Sequence, residues 1–483
     1  MRYHLLLLPF LLNLQTRAQD AGRILTLREC YQLAKQKNAI VQQAQHSLQA
    51  REYLLQADSR GYYPKLDLLA GYNYLGKPLE INLQQVKDGV VNGSANQSVN
   101  TANTVFQQIT GQNLPQAVQD KIYNATKGII NTFYPDYNPS LSKQSYFTAG
   151  LFLRQPLYLG GKIRSAQELA RTGVTAGQLN QQVVEKELYF GISAQYLRIL
   201  YLNTIMAHET VIVDAFRKNR DYATSLKDNQ LLPPYLLNWA RVAYIQATNR
   251  YSNLQLEKQN ALLELNKLLG QPLETPVAIN DTLQYNAMAV PGAQAGQLEN
   301  NPVYRTLQTK TDQARVAVKA TRSLSLPNIF AIGNLSLYQK DLPVTVPPWL
   351  LGVEMQWNLF DGFSRMKRTK ATKQLVEEAQ LAAESTRSSL ELQLKVAANK
   401  MTAMQREVAS LDSARQQAHI TTLLITDRMQ NQLSSVKDVN EALLMEEEME
   451  KIYYTAVLGY YLALAEYWNI VGTPEQLAAY IDK

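Results

Sequence analysis

An internal repeat is the feature of this sequence that most constrains its fold. Three short segments of the first half recur in the second half, and all three are displaced by the same 202 residues. The matched pairs are Leu157–Gly160 with Leu359–Gly362, Asn229–Leu231 with Asn431–Leu433, and Gly270–Pro272 with Gly472–Pro474. A constant spacing over so long a stretch indicates two copies of one structural plan.

The first half also contains a polar insertion. Two earlier pairs match at the longer spacing of 263 residues, namely Asn38 with Asn301 and Pro64 with Pro327. The first half therefore has 61 additional residues, which fall within 76–144, a stretch rich in Asn, Gln, Ser, Thr and Gly. This composition predicts a long exposed loop. We expect one short helix within it, around Gln116–Thr132.

Each half is expected to follow the order helix, strand, loop, strand, long helix, turn, helix. The fold class is mainly α with a small β part. The expected bounds are first repeat 19–270 (helix 26–60, strands 65–75 and 145–157, extracellular insertion 76–144, long helix 162–227, helix 235–269), linker 271–300, second repeat 301–472 (helix 301–323, strands 328–338 and 349–359, long helix 364–430, helix 437–470) and C-terminal tail 473–483.

The two long segments have the periodicity of coiled-coil helices. Each runs for about 65 residues without an internal proline, which corresponds to a helix of about 100 Å and exceeds the width of a globular core. The second has an apolar heptad at Leu390, Leu394, Ala397, Met401, Met404, Val408 and Leu411. The first shows a weaker one at Val183, Phe190, Ala194, Leu197 and Tyr201. The pattern predicts helices that supercoil along one another.

The four predicted strands alternate apolar and polar residues, as strands do when their two faces meet different surroundings. In Trp349–Leu359 every second residue is apolar, and Leu66–Tyr74 follows the same rule except at Leu69. Aromatic residues near the strand ends are candidates for a membrane interface: Tyr72, Tyr74, Trp349 and Trp357. A soluble sheet packed on its own core would show the same alternation, so both interpretations stay open.

Four strands are too few to close a membrane barrel, because the smallest such barrels have about eight. Open strand edges are not tolerated in lipid, since unpaired backbone groups there cost several kcal/mol each. If these strands enter a bilayer, several chains must therefore share one barrel. Three copies would supply twelve strands, and the long helices would form a tube coaxial with the barrel.

The N-terminus predicts export. Residues 1–18 contain Arg2, an apolar run of about ten residues and a small-x-Ala end, which is the arrangement of a secretory signal peptide. The net charge of +7 is spread over 483 residues, which argues against a nucleic-acid partner. One cysteine and four histidines argue against a disulfide framework and a Cys- or His-based metal site.

The sequence predicts no enzymatic activity. It contains no HExxH, GxSxG, Walker-type or dinucleotide-binding glycine motif. We therefore expect no catalytic, cofactor-binding or metal-binding residue. The acidic run Glu446–Glu448 is interpreted as a solvated helix face.

The order of several short motifs resembles that of the TolC-like outer membrane efflux protein family. The motifs are Leu25–Glu29 with Asn38, Tyr63–Pro64, Gln155–Gly161, Asn358–Gly362, Gly270–Pro272 and Gly472–Pro474. The resemblance covers nearly the whole chain after the signal peptide. It implies a homotrimer with a twelve-stranded barrel in the outer membrane and a twelve-helix tunnel in the periplasm.

The resemblance also implies a function and partners. The trimer would be the passive outer membrane duct of a tripartite efflux or type I secretion system, in contact with outer membrane lipid. It would work with a periplasmic adaptor protein and an inner-membrane transporter. The alternative is a soluble periplasmic coiled-coil adaptor or scaffold. Such adaptors have one helical hairpin, whereas this chain has two.

The resemblance places the two helix–helix turns at the periplasmic tip of the tunnel. The residues of these turns are Gln230, Leu232, Pro233, Pro234, Gln432, Ser434 and Ser435. An acidic pair that follows the second turn in the family matches Asp438 and Glu441, which share one helix face. Six such carboxylates in a trimer would form a cation-selective entrance ring. Alternatively, Asp438 serves only to offset the dipole of its helix.

Two features of the tip turns depart from the family pattern. The family often has glycine in the tip turns, where this chain has Gln230 and Gln432. The first turn contains Pro233 and Pro234 and has no acid that matches Asp438, and consecutive prolines should stiffen it.

Overall fold

The computed structural model describes residues 23–78, 80–134, 143–287, 295–339 and 347–482. The predicted signal peptide, 1–18, lies outside the described residues. The chain divides into two compact units. The helical unit comprises the described parts of 1–59, 164–322 and 363–483, and the sheet unit those of 60–163 and 323–362.

Helices account for most of the described chain. They are α1 Leu27–Lys37, α2 Ala39–Ser59, α3 Gln84–Thr110, α4 Gln116–Phe133, α5 Lys162–Asp228, α6 Pro234–Leu269, α7 Pro302–Ser323, α8 Ser364–Gln430, α9 Val436–Val471 and α10 Ala478–Ile481. Short 3₁₀ turns cover Ala295–Asn300 and Pro474–Leu477. The helices α5 and α8 have 67 residues each, and each is therefore about 100 Å long.

The strands form two sheets. They are β1 Arg23–Ile24, β2 Lys65–Tyr74, β3 Ser145–Tyr158, β4 Val277–Ala278, β5 Asn328–Tyr338 and β6 Trp349–Gln356. In the helical unit β1 pairs with β4 in parallel. In the sheet unit the order is β2-β3-β5-β6, and each neighbouring pair is antiparallel.

Three segments differ from the sequence expectations. The single helix expected over 26–60 is divided into α1 and α2, because Asn38 adopts an extended ψ of 126° between them. The insertion, expected to be a loop with one short helix, has α4 where that helix was expected and also contains the longer helix α3, which was not expected. Their interface buries the small side chains Val91 and Ala95, which a search for large apolar periodicity overlooks. The strand expected over 349–359 ends at Gln356, so Trp357 lies just beyond it.

Two asparagines have the same structural role in the two halves of the helical unit. The side-chain oxygen of Asn38 accepts a hydrogen bond of 2.8 Å from the backbone N–H of residue 40. Its amide donates to the Leu268 carbonyl at 2.8 Å. Asn301 makes the equivalent bonds, with the N–H of residue 303 at 2.8 Å and with the Ile470 carbonyl at 2.6 Å. Each asparagine thereby starts one helix and joins it to the last turn of another.

The glycines that end α6 and α9 explain another pair of repeated residues. Gly270 and Gly472 adopt φ values of 71° and 98° and close their helices in the left-handed conformation. A Cβ on Gly270 would also come within 2.5 Å of the Lys37 carbonyl carbon. The repeated glycine therefore permits both the helix end and the close approach of the neighbouring chain.

The core of the helical unit is formed mainly by α5, α6, α8 and α9. Of the predicted heptad in α8, Leu390, Leu394, Ala397, Met401 and Val408 are buried, and Met404 and Leu411 pack against them. The weaker heptad predicted for α5 does not include all the residues that this helix buries. Ile192, Tyr196 and Ile199 are also buried there, so α5 presents a broader apolar face than a coiled-coil seam.

Candidate functional site

The sheet unit has one face that is almost entirely apolar. Residues directly opposite each other in an antiparallel sheet share a face. One cross-strand row contains Leu66, Leu153, Gly333 and Leu351, and the next row on this face contains Leu68, Leu151, Leu335 and Trp349. The strand register thus places the apolar residues of four separate segments on one continuous surface, which we call the apolar sheet face.

The opposite face of the sheet is mixed. Its row through Asp67 contains Phe152, Asn334 and Leu350. The adjacent row contains Lys65 and Arg154, and the Arg154 guanidinium lies 3.8 Å from the centre of the Phe330 ring. The sheet therefore has the two-sided character that the alternation predicted.

Within the described residues, the apolar sheet face does not pack on a core. The side chains of Leu66, Leu68, Leu351 and Val353 are 62%, 66%, 72% and 70% exposed. The interpretation as a soluble sheet packed on its own interior is therefore wrong. A contiguous apolar surface of this kind requires an apolar environment from outside the chain.

The two outer strands of the sheet have only one neighbour each. Within the described residues, β2 pairs only with β3, and β6 pairs only with β5. Each of these strands therefore presents a row of backbone N–H and C=O groups along its outer edge. Such edges readily pair with another strand, and in lipid they have to.

The four candidate interface aromatics are all exposed, but the register separates them. Tyr72 and Tyr74 lie at the far end of β2, next to the contact between Phe147 and Tyr338, whose ring centres are 5.6 Å apart. Trp357 lies at the opposite end of the sheet and donates a hydrogen bond of 3.1 Å to the Ser325 carbonyl. Trp349 shares the row of Leu68 and so lies between these two groups.

In the helical unit, the long helices α5 and α8 end in turns of the same geometry. Gln230 and Gln432 adopt positive φ values of 64° and 59°. The Leu231 N–H donates to the Leu226 carbonyl and the Leu433 N–H to the Arg428 carbonyl, both at 2.8 Å. This is the Schellman arrangement, in which glycine is usual. The glutamines therefore replace glycine without a change of backbone conformation.

The helices that follow these turns begin differently. Pro233 precedes α6 and Pro234 is its first residue, so that end has no side-chain cap. Ser435 caps α9 by accepting a hydrogen bond of 3.2 Å from the Asp438 N–H. The Asp438 carboxylate accepts one of 2.8 Å from the Ser435 N–H. These bonds to Ser435 lower the pKa of Asp438 and keep it ionised.

Both predicted acids of the second turn are exposed. Asp438 is engaged in the cap of α9, as the alternative interpretation of this residue required. Glu441 forms an ion pair with Lys437 at 3.5 Å, and the Lys437 ammonium lies 5.3 Å from the centre of the Trp239 ring. The acids are thus accessible, and one of them has a structural role as well.

Near these turns, a buried polar pair joins the hairpin of α5 and α6 to the hairpin of α8 and α9. The Asn219 amide of α5 donates hydrogen bonds to the Asn440 side-chain oxygen at 2.7 Å and to the Val436 carbonyl at 3.2 Å. Asn219 and Asn440 are 2% and 3% exposed. The sequence analysis missed this pair because a single asparagine on a helix gives no periodic signal.

A cavity of about 690 Å³ lies between α5, α6, α8 and α9, farther along the helices. One of its walls contains three charged residues that we call the charged cluster: Glu209 of α5, Arg250 of α6 and Glu447 of α9. Arg250 binds Glu209 at 3.3 Å and also forms an ion pair with Glu447. Glu209 is 4% exposed and Glu447 17%.

A second arginine lies on the α8 side of the cavity. Arg415 binds Asp412 at 2.7 Å and Glu450 at 3.4 Å. The His419 ring nitrogen and a Glu446 oxygen are 2.6 Å apart. The interpretation of Glu446–Glu448 as a solvated face is therefore correct only for Glu448, because neighbouring helices cover the other two carboxylates.

Two searches of the described residues were negative. No helix there combines the length and the apolar character needed to cross a membrane. No group of three or more His, Cys, Asp or Glu side chains in those residues is arranged to hold a metal ion.

Several solved structures with the same fold are outer membrane proteins. VceC from Vibrio cholerae matches with a TM-score of 0.69 at 14% identity, over 92% of this chain and 96% of that chain. The CmeC outer membrane channel of Campylobacter jejuni gives 0.69 at 14%, over 92% and 85%. The MtrE outer membrane channel of Neisseria gonorrhoeae gives 0.69 at 15%, over 93% and 89%.

The sequence itself matches no family model and no curated protein. The structural matches nevertheless cover nearly the whole chain, including both halves of the repeat. The chain therefore has the fold of the TolC-like outer membrane channels. The resemblance indicated by its motifs is confirmed at the level of the fold.

Proposed function

We propose that this protein is the outer membrane duct of an export system and that three copies assemble to form it. The observation that carries the proposal is the apolar sheet face with its two free edges. In a trimer the β2 edge of one copy would pair with the β6 edge of the next, which would give twelve strands and leave no edge in lipid. The apolar face would contact the outer membrane.

The long helices support an export role. Six of about 100 Å, two from each copy, would form the walls of a periplasmic tunnel together with α6 and α9. Its tip would be formed by the turns at Gln230 and Gln432 and would meet a periplasmic adaptor and an inner-membrane transporter. Transport through the duct would be passive, and the energy would come from the inner-membrane transporter.

The first experiment tests assembly and conduction. The full-length protein, extracted from outer membranes in detergent, should migrate as a trimer in analytical ultracentrifugation. It should also conduct ions in planar bilayers. A protein that is released with the periplasm, is monomeric and does not conduct would contradict the proposal and favour the soluble adaptor or scaffold.

The acidic pair offers a more specific test. We propose that Asp438 and Glu441 of three copies surround the tunnel entrance and favour cations. The variant Asp438→Asn/Glu441→Gln should shift the reversal potential under a salt gradient toward that of a non-selective pore. A matched control is Glu377→Gln/Glu378→Gln, which removes two exposed charges from α8. An unchanged reversal potential in the tip variant would exclude the entrance ring and leave the trimeric duct standing.

The interface aromatics can be tested separately. Tyr72 and Tyr74 at one end of the sheet and Trp357 at the other are proposed to lie at the two membrane–water interfaces. Their ring fluorescence or accessibility to interfacial quenchers should differ from that of Trp349, which the register places between them. Equal quenching of Trp349 and Trp357 by lipids labelled at one fixed depth would contradict this placement.

A further inference from the structure

The charged cluster of Glu209, Arg250 and Glu447 carries an inference beyond the export proposal, and it does not depend on that proposal. These residues come from three helices, so their ion pairs connect the α5–α6 hairpin with α9 of the other hairpin. Two acids share a single arginine. When both acids are ionised, the cluster contains one uncompensated negative charge in a largely buried position.

We propose that the charged cluster is a proton-controlled clamp between the two helical hairpins, which tightens when Glu447 binds a proton and loosens when it loses it. A neutral Glu447 still accepts a hydrogen bond from Arg250 and no longer repels Glu209. An ionised Glu447 adds a charge that its largely buried position solvates poorly, and separation of the helices relieves that cost by admitting water.

The pKa shifts of the two acids agree with a clamp that tightens on protonation. Burial and the nearby charge of Glu209 raise the pKa of Glu447 from 4.5 to about 7, and Arg250 offsets this only in part. Burial also raises the pKa of Glu209 despite the same arginine. Because the folded state holds the Glu447 proton more tightly than the unfolded state does, this stabilisation is complete below about pH 4.5. It is lost as the pH rises through about 7.

Other charged groups face the cavity from all four helices. They are His208 from α5, Glu257 from α6, Arg415 and His419 from α8, and Glu446, Glu450 and Lys451 from α9. Two of these groups are histidines that face carboxylates, since His208 lies 3.8 Å from Glu450 and His419 lies 2.6 Å from Glu446. A test of the clamp must therefore separate Glu447 from these histidines.

Amide hydrogen exchange of the full-length protein in detergent provides this test. Protection of α5, α6 and α9 around the cluster is measured at pH 6 and pH 8 and corrected for the intrinsic pH dependence of exchange. Protection in the wild type should fall about tenfold from pH 6 to pH 8, as expected for a carboxyl group whose pKa drops from about 7 to 4.5 on opening.

Substitutions assign the effect to one residue. Glu447→Gln imitates the protonated acid, so protection should be high at both pH values. Glu448→Gln is the matched control, because it removes an exposed charge one residue farther along α9 and should keep the tenfold change. Arg250→Gln should lower protection most at pH 8, since both acids then lose their partner.

Several results would overturn the clamp. One is a wild type without pH-dependent protection in these helices. Another is a Glu447→Gln variant that keeps the dependence. A third is loss of the dependence in His208→Gln/His419→Gln, which would assign the effect to the histidines. If Glu447→Gln does not fold, Glu209→Gln serves in its place, because removing the repulsion should also reduce the dependence.

Discussion

The apolar sheet face and the core of the helical unit contain the same kinds of side chains, but these side chains are buried in the core and exposed on the sheet. In the helical unit, Tyr460 and Leu464 are 0% exposed, and their burial is supplied by one chain. In the sheet, Leu351 is 72% exposed, and the described residues of its own unit leave it largely uncovered. The helical unit therefore supplies its own apolar core, whereas the apolar sheet face would have to be covered from outside, under the proposed assembly by lipid and by other copies.

The largest expected effect comes from a charged substitution on the apolar sheet face. Leu351→Arg places a charge in the middle of the apolar face, at a cost of about 2–4 kcal/mol per copy in the lipid. We expect the variant to be lost from the outer membrane fraction and to form no trimer. The control Asn334→Arg puts the same side chain on the opposite face and should assemble normally. Equal behaviour of the two variants would mean that this face does not contact lipid.

The second prediction concerns the helical core. Leu464→Ala removes a fully buried side chain of α9 and should cost about 2–5 kcal/mol of unfolding free energy. Thermal unfolding followed by helical circular dichroism measures this loss. Leu444→Ala on the same helix, where the side chain is 41% exposed, should lower the melting temperature much less. Comparable losses would show that the described core is not what stabilises the helices.

The third prediction concerns the ends of the hairpins, where a buried hydrogen bond between two asparagines takes the place of apolar packing. Asn219→Ala leaves the buried Asn440 without its partner and should cost about 1–3 kcal/mol. Chemical denaturation of the purified protein measures the change. The double variant Asn219→Ala/Asn440→Ala should lose less than the sum of the two single losses. Strict additivity would show that the two asparagines do not stabilise each other.

The smallest expected effect is a gain in stability at the tip turns. Gln432→Gly relieves a left-handed conformation that costs a residue with a side chain roughly 1 kcal/mol, so it should raise the free energy of unfolding by about that amount. Gln230→Gly should give a similar gain because its turn has the same geometry. Gln432→Ala, which keeps a Cβ, should give none. A loss in Gln432→Gly would indicate that the glutamine side chain itself stabilises the turn.

Sequence periodicity predicted some elements of the fold better than others. Between residues 390 and 411, the heptad of α8 predicted the buried residues, because each seam position meets a neighbouring helix at regular intervals. The weaker heptad of α5 missed Ile192, Tyr196 and Ile199, because a helix with neighbours on several sides buries more than one seam. The helix α3 was missed because it packs through small side chains such as Ala95.

The candidate residues differ in how they were recognised. Asp438 and Glu441 were proposed from the family resemblance, which implies an acidic pair directly after the second turn, and their role stays a prediction. Glu447 was placed on a solvated face because its sequence neighbours are also acidic. Only the approach of Arg250 and Glu209 from two other helices makes it a buried, proton-sensitive group.

The sequence by itself determined the doubled plan, the two-sided strands and the long helices, because each of these is recorded in residue spacing along one segment. The tertiary structure decided which segments come together. It aligned four alternating strands into a single apolar face with open edges, and it gathered the charges of separate helices around one cavity. Such groupings depend on contacts between different segments of the chain, some of them more than a hundred positions apart, and local spacing contains no information about those contacts.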